Sequence, residues 1–395
     1  MKNALKRVSA VMLGATSLVA AMPASATTIN LIDIGGVAGS PAARGFAAAA
    51  RYWETVLNND AVLNFQVGFS PLGPNILGGT SSTLQTFVPI SDYYDLLSAS
   101  STSALDRQAV ANLAPLSATG SVAVTVPGYD DIGTQTGVSA TSQRFAPDGT
   151  PISSTIALST ANLKALYNDS AAFDAQFGSN VIDGEIQFSS TFDFDFDPTD
   201  GISAGTYDFI GVAIHELGHA LGFLSGVEDF DFSVGGGFPV DDYWWGYGAD
   251  MFRYSAPGKL DWTFGTESYF SLDGGNTAFM GGYWSTGSDY GDGWQASHWK
   301  EPAQACGDFL GIMNPYICAG LEDQVEALDL ALLDAIGWNV NVDVLANPGY
   351  TFTTGAAFGL VPEPTTWAMM IGGMGLVGGA MRRRRTSVRF ATAKA

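Results

Sequence analysis

The chain has 395 residues, 46% of them hydrophobic, with 39 acidic against 17 basic side chains and a formal net charge of −22. Length and apolar content are ample for a sizeable core, and the acidity excludes nucleic acid and anionic membrane surfaces as partners of the folded body, because both repel a polyanion. Residues 27–361 alone keep eight basic side chains and a net charge of about −30.

In chain order, residues 1–26 begin with Lys2, Lys6 and Arg7, run through an apolar stretch from Val8 to about Ala21, and end on Ala24-Ser25-Ala26. A basic start, a short apolar centre and a small-x-small end predict a secretory signal peptide cleaved after Ala26. "TINLIDI" (28–34) reads as a strand, and "AARGFAAAARYWETVLN" (42–58) as an amphipathic helix with Phe46, Tyr52 and Val56 on its buried face. "AVLNFQVGF" (61–69) alternates like a strand. Residues 71–180 mix Ser, Thr and Gly with short helical pieces such as "SALDRQAVANL". "GEIQFSSTFDFDF" (184–196) predicts another strand, a turn follows at 198–201, and "TYDFIGVAIHELGHALGF" (206–223) opens a helix. Asp193 to Gly201, "DFDFDPTDG", crowds carboxylates that could hold calcium, although the same alternation of Phe and Asp describes a half-buried strand.

Residues 226–297 hold five of the nine tryptophans in a Gly-rich stretch of short strands and loops, where aromatic packing is the ordinary expectation and a carbohydrate-binding face the other. "QVEALDLALLDAIGW" (324–338) predicts a helix with a stripe of Leu328, Ala331, Leu332 and Ala335. Residues 346–360 read as a Gly- and Thr-rich linker. Last comes "VPEPTTWAMMIGGMGLVGGAMRRRR" (361–385), in which Val361 to Pro364 precede an apolar stretch closed by Arg382 to Arg385. This layout resembles the PEP-CTERM sorting tail of Gram-negative bacteria. The resemblance implies a sorting enzyme acting at the Pro-Glu-Pro box, transient membrane association through the tail, a cytoplasmic remnant at 386–395, and a final place at the cell surface or outside it, in association with exopolysaccharide. Cys306 and Cys318, twelve residues apart in an exported chain, could close one disulfide.

The chemistry concentrates in "HELGHALGFLSG" (215–226). On a helix His215 and His219 are separated by about 40° and about 6 Å of rise, so both imidazoles can grip one ion. Glu216, about 100° away, can reach a water on that ion and act as general base. With three His and nine Glu in the chain, H-E-x-x-H arises by chance with a probability of only about 1 in 2,000. A catalytic zinc with one open position needs a third protein ligand. The position ten residues after His215 is Ser225, a poor ligand, and Glu228 or Asp229 could serve only if the chain doubled back. The one other histidine is His298, 79 residues after His219 and fifteen before Met313 in "GIMNP".

H-E-x-x-H-x-x-G followed by a downstream methionine turn resembles the metzincin zinc metalloproteases. The long insertion before "SHW" is similar to the leishmanolysin-type layout, here with a PEP-CTERM tail. The resemblance implies zinc bound by His215, His219 and His298, Glu216 as general base, and Met313 as a hydrophobic support beneath the metal. Gly222 fits the turn out of the helix. Tyr316 stands three residues after Met313, not the two of the transition-state tyrosine of some metzincins, and is assigned to packing. A Cys306–Cys318 disulfide would bracket the methionine turn, and "GEIQFSS" would offer its edge to an extended peptide. The implied fold is α+β: a mixed twisted sheet and the active-site helix in an N-terminal subdomain over 27–222, and an irregular C-terminal subdomain with a terminal helix over 223–345. The expected activity is that of an exported zinc endopeptidase acting on protein or peptide substrates. The alternatives are a non-catalytic surface or exopolysaccharide-matrix protein with a structural metal site, for which Glu216 has no use, and a zinc hydrolase of non-peptide substrates.

Overall fold

The computed structural model describes residues 26–361; the expected signal peptide up to residue 25 and the tail beyond residue 361 lie outside them. The described chain is α+β, with eleven α-helices and five small sheets. No helix in it is long and apolar enough to cross a membrane.

The sheet nearest the histidines has four strands: β1 (Thr28–Gly35), β2 (Val62–Ser70), β3 (Gly78–Ser82) and β4 (Gly184–Ser189), in the order β1-β2-β4-β3. β1, β2 and β4 run parallel, and β3 lies antiparallel on the edge, with Gly78 opposite Phe188 and Ser82 opposite Gly184. Leu63, Phe65 and Val67 alternate into the core from β2, as a period of two requires. The crossover between β1 and β2 is helix α1 (Ala42–Val56), whose Ala48, Ala49 and Trp53 are buried. Helix α2 (Phe209–Ala220) packs against both α1 and β3. The Trp53 indole nitrogen donates to the Ile214 carbonyl at 3.1 Å, which fixes α1 against α2 beside the first histidine.

Three expectations change. "GEIQFSS" has no free edge, because β4 is interior, paired to β2 on one side and β3 on the other. The edge belongs to "GGTSS", a strand too rich in Gly, Ser and Thr to stand out from a loop. The boundary at residue 222 does not separate two sheets, since Val124–Pro127 pairs with Lys259–Asp261 and Thr155–Ser159 with Gly246–Tyr247. And residues 346–360 are no loose linker. Thr351–Thr353 pairs with Gln324–Glu326, Thr354–Phe358 forms a helix, and the Arg44 guanidinium covers the Phe358 ring at 3.5 Å. Helix α3 (Ala327–Ala335), expected as the terminal one, precedes that short helix; it begins three residues later than its pattern predicts, and every one of its residues is buried.

Candidate metal centre

Asp208 starts α2 by accepting from the amides of Ile210 and Gly211, each at 3.0 Å, which satisfies two of the otherwise unpaired donors of the first turn. The other end is a Schellman motif: Gly222 donates to the His219 carbonyl at 3.0 Å and Phe223 to the Gly218 carbonyl at 3.1 Å. Gly222 has φ +116°, a region that side chains avoid. This turn aims the Phe223 carbonyl back at the His219 ring, which meets it through Nδ1 at 2.8 Å.

The other two imidazoles are held in the same way. His215 Nδ1 lies 2.7 Å from the Ile312 carbonyl and His298 Nδ1 lies 3.2 Å from that of Gln295. A carbonyl only accepts, so each Nδ1 carries the hydrogen and each Nε2 presents a lone pair. The three Nε2 atoms converge, at 3.0 Å between His215 and His219, 3.1 Å between His219 and His298, and 3.2 Å between His298 and His215. Burial pushes His215 down to about 4 and His219 to about 3, and lowers His298 well below the usual range, so all three are neutral at pH 7. Three facing lone pairs without a hydrogen among them repel unless a cation sits between. Nitrogens bound tetrahedrally at about 2.05 Å would stand about 3.3 Å apart, close to the spacings found, so the donor set fits a divalent ion of zinc's size. No other convergent group of three ligating side chains occurs among the described residues. In the candidate calcium run, Asp195 and Asp197 spend oxygens on local amides, those of Asp197, Ser203 and Thr199.

Glu216 is buried beside this cluster. Its carboxyl is raised to about 7 by burial, opposed by a 2.8 Å contact from the Thr80 hydroxyl on β3 to Oε2. A Cβ on Gly78 would lie 3.1 Å from Oε1, so the edge strand runs directly over the carboxylate. Together these residues line a cavity of about 660 Å³.

His298 reaches the cluster from irregular chain. The fully buried Arg253 donates to the carbonyls of Ser285 and Ala296, at 2.6 and 3.2 Å, and the Ser285 amide donates to the His298 carbonyl at 3.0 Å. Ser225 does not join the histidines. It caps the helix Gly226–Phe232, its hydroxyl donates to Asp250 at 2.6 Å, and its amide donates to Ser297 Oγ at 3.1 Å. Glu228 is tied to Gln295 and Ser297, and Asp229 to the Tyr247 hydroxyl; neither joins the histidines.

Met313 is buried against α2 at Gly218, where a Cβ would lie 2.5 Å from the sulfur. Asp329 of α3 holds the Met313 turn, accepting from the Ile312 amide at 2.9 Å and the Met313 amide at 3.3 Å, and also from the Trp299 indole at 2.9 Å. Cys306 and Cys318 are joined in a disulfide across this turn. Tyr316 packs on Trp294, with ring centroids 4.9 Å apart. Sequence reasoning missed Thr80, Arg253, Asp250 and Asp329. Only Asp329 carried a legible signal, as one of two carboxylates, with Asp334, in the apolar run 327–335.

No curated protein and no solved structure matches the chain. Residues 360–385 match the PEP-CTERM protein-sorting motif, which carries with it export, recognition by a sorting system at the C-terminus and placement at the surface of a Gram-negative cell.

Proposed function

We propose that the protein is an exported, zinc-dependent endopeptidase of the metzincin type, with Glu216 as general base. The observation that carries this reading is the convergence of three Nε2 lone pairs next to a buried carboxylate, in a cleft bordered by a free strand edge. A structural metal site would need no such carboxylate and no such access. His215, His219 and His298 would hold the ion, and zinc when bound supplies Lewis acidity, lowering the pKa of a water toward 7 and polarising a carbonyl.

The chain's own residues supply the rest. The exposed edge of β3 offers backbone donors and acceptors to an extended peptide, which would add as a further strand and bring one carbonyl past Glu216. Glu216 takes a proton from the attacking water and returns it to the leaving amine. The raised pKa of a buried carboxyl suits a group that must both accept and release a proton near neutrality. Thr80 holds Oε2, leaving Oε1 as the freer oxygen.

The test is casein or gelatin cleavage by residues 27–361, with and without chelator, beside two variants. Glu216→Ala is expected to keep zinc and lose at least about a thousandfold in rate, whereas His298→Ala loses zinc binding as well. A fully active His298→Ala protein would refute the ligand set. Zinc-loaded protein that cleaves no peptide would favour a matrix protein with a structural metal.

A further inference from the structure

The cavity around the histidines is lined by three carboxylates, Glu216, Glu228 and Asp323, and by no lysine or arginine. Glu216 and Glu228 are engaged by Thr80 and by Gln295 and Ser297. Asp323 differs. Its amide donates to Asp208, but among the described residues no donor and no cation reaches its carboxylate. That carboxylate lies against the first turn of α2, where a Cβ on Gly211 would be 2.5 Å from Oδ2, one helical turn before His215. Around it stand Asp208 and Asp329, both fully buried, and Glu322, so the negative potential at this wall of the cavity is the sum of several acids. Burial and these neighbours raise the Asp323 carboxyl well above the usual range, so its ionised form is favoured by the arrival of a cation. A second orphan acceptor lines the same cavity: Asn314 is 5% exposed and its Oδ1 has no hydrogen-bond partner, while its amide nitrogen is spent on the Gly311 carbonyl. Two unpaired acceptors in an acidic cavity call for a ligand made of donors with positive charge.

We propose that Asp323 is the specificity determinant of the cleft, receiving an arginine or lysine side chain of the peptide substrate, with Asn314 Oδ1 as a further acceptor in the same cavity. The proposal rests on the endopeptidase reading. Hydrophobic wall residues such as Ile317 would flank the aliphatic stem of that side chain. The guest supplies the counter-charge that the protein, with none of its basic side chains in the cavity, does not.

The experiment uses the zinc-loaded Glu216→Gln protein and fluorescein-labelled decapeptides in which one arginine is stepped through an uncharged sequence, each paired with its citrulline counterpart of the same shape and no charge. Anisotropy is expected to show arginine binding at least about tenfold tighter than citrulline in one register. In Asp323→Asn the two should agree within about twofold, while Asp174→Asn on the outer surface, which removes the same net charge, keeps the gap. Equal binding of arginine and citrulline to the cleft with Asp323 intact would overturn the proposal, as would a gap that survives in Asp323→Asn; Asp323→Ser serves if the asparagine variant does not fold. Cleavage by the Glu216 protein is followed on the same peptides. Arginine-selective binding with no cleavage refutes the endopeptidase reading and leaves the role of Asp323 intact, whereas cleavage indifferent to arginine does the reverse.

Discussion

His215 and His219 stand on a regular helix that is held in place by apolar packing, whereas His298 stands on a turn held in place by buried charge. The first pair inherits its spacing from helix geometry and needs only Trp53, Gly218 and the capping turn around it. The second depends on Arg253, Asp250 and Asp329, none of them a ligand, each using several hydrogen bonds to shape a backbone that has no ladder of its own. A convergent histidine cluster can thus be half secondary structure and half polar scaffolding. Buried carboxylates and guanidinium groups are costly unless fully paired, so the second half is the more fragile.

The sharpest way to break this contrast is Asp250→Ala. Asp250 accepts from the Gly226 and Tyr247 amides, each at 2.8 Å, and from Ser225. Its loss strands two buried amides and is expected to cost about 3 kcal/mol or more and to weaken zinc binding while the four-stranded sheet stays folded. Unchanged zinc affinity, read by competition with a fluorescent chelator, would mean that His298 is held by something else. Replacing Cys306 and Cys318 by serine opens a loop of sequence separation 12 and should cost about 2–3 kcal/mol by denaturant titration, again on the irregular side. On the regular side, Gly222→Ala forces a side chain into φ +116° and within 3.0 Å of Asn162 Cβ. About 1–2 kcal/mol is expected, with zinc affinity falling in step because the Phe223 carbonyl moves.

The smallest effect is a pH slope. Asp334 on α3, next to Asp106 in the helix Ala104–Ala111, is pushed up to about 8 by burial and then by that neighbour. The folded state keeps a proton that the unfolded state releases above about pH 4, so this contribution is full below that pH and is lost as pH rises through about 8. Melting should therefore be lower at pH 8 than at pH 5, and Asp334→Asn should flatten the slope by about 2 °C or more. A slope unchanged in that variant would assign it to the other buried acids, such as Asp183 and Asp208.

What could be read in advance follows the same division. Helix 42–56 and strand 62–70 announce themselves by period, because one face of each is buried against apolar neighbours, while strand 28–35 and helix 209–220 are legible as apolar runs, the strand mostly exposed and the helix buried all round but for His215. The first two histidines and Glu216 come with the helix. Strand Gly78–Ser82 was illegible: its pairing is with the backbone of β4, and its small side chains leave room for Glu216, so nothing in it is apolar. The third histidine was legible as the last one left in the chain, but the means of bringing it back was not, because Arg253, Asp250 and Ser297 act through isolated side-chain hydrogen bonds that have no period. Residues 346–360 misled for a related reason: Thr354 is buried to bond Asp208, and composition cannot tell such a threonine from a linker's.

Asp329 also has a consequence in time. It lies 31 residues after His298 and 113 after Glu216, and the Met313 turn, the Trp299 indole and the His215 partner carbonyl at Ile312 all hang on its two oxygens. While the chain is being made or threaded across a membrane from its N-terminus, the segment that emerges first carries Glu216 and two of the three histidines but not the third. On the proposed endopeptidase reading, the site would be complete only when nearly the whole body has arrived, which would delay any self-inflicted cut until then.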